Sequence, residues 1–327
     1  MLLGVEDPAF PDGAQHGVAL PLEIADRHSD DAVTPVHGHA VPPTTESAGT
    51  TGLVAATGAS HGLDTLPAEP HRQRAPTTRP AEVWRNLCDA PPMTSVRLLH
   101  GLGADRRAFQ RFERLLPDSW DIESFDLLGH GDAPHPASGY RLDDHASYVA
   151  ELIEQRAPVV LIGHSYGAAT SVALAATRPE LVDAIVLLDP IARFSVSDVA
   201  ELDGPGTGTG AMIDAKRDGR LAEQVARMYP DASEALRRWT VETWERMALG
   251  VVDELDADWM RFADRVTCPV GIVHGELELG GGGDLAADWF DEPVVTCIEG
   301  AGHYLHATHA RETATAISET VARLLPA

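Results

Sequence analysis

Lysine is almost missing from this chain. Lys216 is the one lysine in 327 residues, and lysine plus arginine total 25 against 50 aspartates and glutamates. The resulting formal charge of −25 argues against nucleic acid or an anionic membrane surface as partner, since both repel a strongly negative protein. Cysteine is also scarce. Cys88, Cys268 and Cys297 form neither a CxxC pair nor an even framework, which fits a reducing compartment and excludes a disulfide scaffold. No stretch of 18 apolar residues occurs, so no membrane-spanning helix is expected. The first residues, Met1 to Asp7, carry neither the positive charge nor the apolar run of a signal peptide, and a cytoplasmic location is the expectation.

What the chain does have is a serine in a telling place. Gly163-His164-Ser165-Tyr166-Gly167 follows the apolar run Val159–Ile162 and precedes small residues from Ala168 to Ala173. That order predicts a strand, a sharp turn and a helix, with the serine at the apex. A strained turn lifts the hydroxyl clear of the sheet, and flanking glycines remove side chains that would collide where strand and helix converge. The helix N-terminus also aims free N–H groups at the place where an oxyanion would form.

Further strand-length runs surround this turn. Ser95–Leu99 leads into His100-Gly101-Leu102-Gly103, and Asp121–Asp126 leads into Leu127-Leu128-Gly129-His130-Gly131. After the turn come Ala184–Leu188, ending at Asp189-Pro190, then Val270–Val273, running into His274-Gly275-Glu276-Leu277-Glu278. Val294–Ile298 precedes Glu299-Gly300-Ala301-Gly302-His303. Such runs, alternating with helical segments, predict an α/β chain with a mostly parallel central sheet flanked by helices.

Over about residues 94–327 the chain resembles the α/β-hydrolase family. The resemblance rests on His100-Gly101, Asp126–Gly131, the Gly163–Gly167 turn and Gly300-Ala301-Gly302-His303, four motifs in one order. It implies Ser165 as nucleophile and His303 as the base that takes its proton, because an unassisted hydroxyl is a poor nucleophile at neutral pH. The resemblance points to Glu278, three residues beyond Gly275, as the acid orienting the histidine. Asp189 is the alternative, and Glu276 and Asp284 are lesser candidates. Backbone N–H groups of Tyr166 and, by resemblance, Leu102 would form the oxyanion hole, with Gly103 able to replace Leu102. His100, His130 and His164 are expected to have structural roles in their turns. His303, His306 and His309 recur by threes, but the latter two are expected to begin the final helix, partly solvated; no metal and no cofactor are implied.

Residues 191–265 fall where the family places a helical lid. Helical periodicity covers about 212–228, 232–249 and 254–264, punctuated by Pro230 and Gly250, and Gly204–Gly210 reads as a hinge. This insertion holds four of the six methionines and three of the six tryptophans. Met212, Trp239 and Trp244 are candidates for an adaptable apolar wall over Ser165, suited to a small uncharged or apolar acyl substrate. Residues 1–92 carry about half the prolines and no sustained period, so they are expected to be a disordered extension of a domain spanning 93–327, with Met93 as the natural start.

The chemistry expected is hydrolysis of a carboxylic ester, lactone or thioester through an acyl-Ser165 intermediate. Two alternatives stay open. A non-catalytic binder could retain the pocket, and a cofactor-free peroxidase, C–C hydrolase or lyase could use a similar site.

Overall fold

The computed structural model describes residues 93–191, 208–256, 258–277 and 282–326. The extension expected over 1–92 and Glu278 lie outside these residues. In chain order the elements are β1 (Thr94–Leu99), β2 (Trp120–Phe125), α1 (Leu142–Ile153), β3 (Val159–His164), α2 (Tyr166–Thr177) and β4 (Val182–Leu188). An insertion of helices follows: α3 (Gly208–Arg217), α4 (Leu221–Met228), α5 (Glu234–Arg246), α6 (Leu249–Asp253) and α7 (Met260–Ala263). Then come β5 (Val270–Leu277), α8 (Gly282–Ala287), β6 (Val294–Gly302), α9 (Leu305–Thr308) and α10 (Ala310–Leu324).

The six strands form one sheet in the order β2-β1-β3-β4-β5-β6, and every neighbouring pair is parallel. Alternation along the central strands divides the core in two, because successive side chains point to opposite faces. Leu161, Ile185, Leu187 and Ile272 enter one cluster with α1, α2 and the insertion. Val160, Ile162, Val186 and Val273 enter the other, against α10 and the short turns carrying Phe109 and Phe112. The chain crosses from β1 to β3 by way of the edge strand β2, so β1 and β3 both end beside the centre of the sheet. The loops after β1, β3, β4 and β6 therefore gather at one end, where an open parallel sheet presents a site.

The helices follow from composition. In α10 the buried residues Thr313, Ala314, Ala316, Ile317, Thr320, Val321 and Leu324 recur at helical spacing and make one apolar stripe. In α2, by contrast, ten of twelve residues are buried, and small side chains let the helix lie close to the sheet. Its buried hydroxyls are satisfied within the helix, Thr170 donating to the Tyr166 carbonyl and Ser171 to that of Gly167.

The insertion departs from its expected outline in three places. The helix predicted over 212–228 breaks at Gly219, whose φ of 67° ends α3 before α4 begins. Gly250 lies inside α6 rather than between helices, because the Tyr140 ring packs on its Cα and a methyl group there would overlap the ring. Helix over 254–264 shrinks to Met260–Ala263, since Glu254 instead turns its carboxylate to the Gly139 and Tyr140 N–H groups. Of the expected hinge, residues 204–207 lie outside the described residues, and Gly208–Gly210 open α3. Lys216, on α3, reaches across to donate its ammonium to the Trp244 and Glu245 carbonyls at the end of α5. No helix among the described residues is long and apolar enough to cross a membrane.

Candidate active site

Ser165 joins β3 to α2 with φ 53° and ψ −112°, a conformation that costs a side-chain-bearing residue about 1–3 kcal/mol. Close packing enforces it. A methyl group on Gly163 would overlap the Gly167 carbonyl, and one on Gly167 would overlap the carbonyl of Leu99. Strand β1, strand β3 and helix α2 thus meet backbone to backbone at the turn, as the flanking glycines predict. Ser165 remains partly open to solvent, and its carbonyl starts the helix by accepting from Ala168 and Ala169.

The loop after β1 lies alongside. His100 donates from Nδ1 to the Gly101 carbonyl at 2.8 Å and accepts at Nε2 from the Leu127 N–H at 3.0 Å, which fixes a neutral tautomer. His130 is held the same way, donating to the Leu128 carbonyl and accepting from the Gly103 N–H at 3.3 Å. Burial pushes both histidines below their ordinary pKa. Both have the structural roles expected of them. The Gly103 N–H is therefore already committed, while those of Leu102 and Tyr166 meet no protein acceptor among the described residues. A helix start and a loop beside Ser165 thus each keep an uncommitted N–H, the kind of donor that can stabilise negative charge on oxygen.

Asp189 follows the last residue of β4 and is 2 % exposed. It too has a positive φ, 42°. Its N–H donates to the Val273 carbonyl at 2.9 Å, and its Oδ1 accepts from the Gly275 N–H at 3.1 Å. These two bonds to β5 aim Oδ2 at the loop after β6, where it accepts from His303 Nδ1 at 2.6 Å. With Nδ1 donating to a carboxylate, a neutral imidazole presents Nε2 as its free basic nitrogen. Of the other acids considered, Glu276 bonds to the Gly300 N–H at 2.9 Å rather than to an imidazole. Glu278 and the side chain of Asp284 lie outside the description.

The histidines spaced by threes separate. His306, expected at the solvated start of the last helix, is instead buried on α9 between His164, Phe109 and Phe112. His309 bonds to the neighbouring Thr308 hydroxyl. A direct hydrogen bond from His164 Nε2 to the His303 carbonyl, 2.8 Å, has no counterpart in any sequence spacing.

The helical insertion is fastened to the loops around Ser165. The Trp244 indole lies on the Cα of Gly103, the Ala248 N–H donates to the Gly129 carbonyl, and Arg246 reaches the Gly131 carbonyl and Asp132. Arg107, paired with Asp105, also reaches Glu242 on α5. Met212 is buried in the core on α3, and Trp239 is half-buried on α5.

The model of the alpha/beta hydrolase family matches residues 98–316. Lipase LipV of Mycobacterium tuberculosis is 39% identical over 109 residues, 33% of this chain and 41% of that protein. This chain thus spans about two fifths of that relative's length. The 2-(acetamidomethylene)succinate hydrolase of Mesorhizobium japonicum is 28% identical over 243 residues, covering 68% of this chain and 86% of the relative. The crystal structure of the enol-lactonase from Burkholderia xenovorans LB400 superposes with a TM-score of 0.60 at 19% identity, over 71% of this chain and 92% of that one, a likeness of fold. With the parallel sheet, the serine at the strand–helix turn and a family model spanning most of residues 93–327, this chain belongs to the alpha/beta hydrolase family.

Proposed function

We propose that the protein is a serine hydrolase acting on a small uncharged or apolar carboxylic ester, lactone or thioester, with Ser165, His303 and Asp189 as its triad. The observation that carries this reading is the 2.6 Å bond from His303 Nδ1 to the buried Asp189, in the loops beside a serine held at positive φ. Asp189 takes the place first given to Glu278. Its carboxylate would hold the imidazole in one tautomer and stabilise the imidazolium that forms in turnover.

In this mechanism the Ser165 hydroxyl attacks the acyl carbon as His303 Nε2 takes its proton. The Leu102 and Tyr166 N–H groups then carry the charge on the carbonyl oxygen, each contributing about 3 kcal/mol to the transition state. The tetrahedral intermediate collapses when the imidazolium protonates the departing alkoxide or thiolate. Water, deprotonated by the same nitrogen, releases the acid and restores the serine. Trp244 would serve as a lid residue that braces the oxyanion loop, with Met212 and Trp239 contributing to the apolar cover.

The test is intact mass after treatment with a fluorophosphonate. One adduct on the wild type, absent from Ser165→Ala and much slowed in His303→Ala, is the expected result. No adduct on folded wild type would reject the serine-hydrolase reading in favour of a binder.

A further inference from the structure

His164 touches three catalytic loops at once. It precedes Ser165 directly, so its backbone is part of the nucleophile turn. Its Nε2 lies 2.8 Å from the carbonyl oxygen of His303, and because a carbonyl only accepts, that nitrogen carries the proton. Its ring packs on the His303 ring at 4.7 Å between centroids and on His306 at 4.5 Å. On the other side a methyl group at Gly101, in the loop that leads to Leu102, would sit 3.0 Å from His164 Nδ1 and 3.3 Å from Ser165 Cβ. The side chain of His164 is therefore wedged between the base loop and the oxyanion loop, and buried between them.

We propose that His164 is a positioning residue for the reaction: its Nε2–H bond to the His303 backbone sets the register of the base against Ser165, independently of Asp189. This rests on Ser165 and His303 being nucleophile and base. Asp189 fixes the imidazole's tautomer and tilt through its carboxylate. Strand β4 meets the serine turn through the neighbouring Leu188 carbonyl, which accepts from the Ser165 N–H at 3.0 Å and does not involve the Asp189 side chain. The His164 bond is a direct link between the serine's own segment and the histidine's main chain. Separately, burial pushes His164 well below the ordinary histidine pKa, which favours the neutral ring.

The chemistry of the bond selects the variants. A glutamine amide nitrogen stands as many bonds from Cα as imidazole Nε2, so His164→Gln retains the donor. The asparagine amide in His164→Asn reaches only as far as Nδ1 and cannot span the gap. Fluorophosphonate labelling rates and p-nitrophenyl acetate kinetics are measured on wild type, Ser165→Ala, His164→Gln and His164→Asn. Expected for His164→Asn is a loss of about 10–100-fold in labelling rate and kcat with KM little changed, the size of effect that a misplacement near 1 Å produces. His164→Gln is expected within about threefold of wild type, a rescue that simple space-filling does not predict. Folded His164→Asn labelling at the wild-type rate overturns the proposal.

A second readout is taken on the wild type and does not depend on His164→Asn folding. Long-range ¹H–¹⁵N correlations of the wild type at about pH 8, with the His164 signal identified by its loss in His164→Gln, are expected to show a neutral Nε2–H ring. A neutral ring that carries its proton on Nδ1 instead of Nε2 overturns the proposal. Failure of the underlying reading looks different. It shows as wild type that does not label, or as labelling that survives Ser165→Ala, whatever tautomer the spectrum reports.

Discussion

Lowering the pH from 7 to 5 should unfold this protein far more readily than the loss of surface ion pairs would explain, and buried imidazoles are the reason. His145 and His306 are almost fully enclosed, and burial pushes each down to about 3. In the unfolded chain each titrates near 6.5, so below that pH the unfolded state binds a proton that the folded state refuses. Their contribution is fully present above pH 6.5 and falls as the pH drops toward 3. Each costs about 1.4 kcal/mol per pH unit across that window, so each removes about 2 kcal/mol by pH 5, and the pair about 4. His100, His130 and His164 are shifted in the same direction and add to the loss. Against a total stability of about 5–15 kcal/mol, this is enough to decide whether the fold survives. The assay is urea unfolding at half-unit steps from pH 7 to pH 5, on wild type and His145→Phe. His145 is the right residue to change because, among the described residues, neither ring nitrogen makes a hydrogen bond of good geometry, the Tyr140 backbone giving only a contact that opposes part of the burial effect. A phenyl ring in its place keeps the edge-to-face contact with Tyr166, now at 5.1 Å between centroids, and buries no ring nitrogen. The variant should lose about one proton's worth of slope and end about 2 kcal/mol better off at pH 5 relative to its own value at pH 7. Curves for the two proteins that run parallel from pH 7 to pH 5 would refute the reasoning.

The other expectations are local. Asp189→Asn should lower kcat by about three to four orders of magnitude by admitting the wrong imidazole tautomer; Glu278→Gln should stay within a few-fold of wild type in the same ester assay, and the opposite ranking would move the acid to Glu278. Gly167→Ala must displace the Leu99 carbonyl and should cost about 1–3 kcal/mol or more in a thermal melt, with fluorophosphonate labelling lost in step; an unchanged midpoint would contradict the close approach described for the turn. Arg246→Ala removes a half-exposed pair with Asp132 and should cost no more than about 1 kcal/mol, whereas Trp244→Ala should cost about 3–5 kcal/mol, because the indole is buried against Gly103. Melting the two variants side by side checks that ordering.

Much of the frame was legible in the residues themselves. Val159–Ile162 is apolar on both faces, as a central parallel strand must be, and the glycines at 163 and 167 mark a place where only hydrogen fits. Which acid meets His303 was not legible, because that depends on how β4 and β5 align. Asp189 reaches the histidine only through its positive φ and its bonds to Val273 and Gly275, neighbours 84 and 86 residues away in sequence. The available signal was an aspartate ending an apolar strand ahead of Pro190, and spacing from Gly275 outweighed it. His306 misled for a related reason. A histidine near the start of a helix reads as solvated until Phe109 and Phe112, some two hundred residues earlier, are seen to cover it. The same holds for Gly250, whose partner Tyr140 lies in a loop before α1 and gives no local sign of its presence.

The scarcity of lysine has a practical corollary. An endoprotease that cuts only after lysine has a single target in this chain, and Lys216 is engaged there with the Trp244 and Glu245 carbonyls. Cleavage requires the end of α3 to come away from α5 and stretch into the protease. One cut yields two fragments, so its rate is a clean clock for the opening of that single junction, readable on a gel without any label or engineered site.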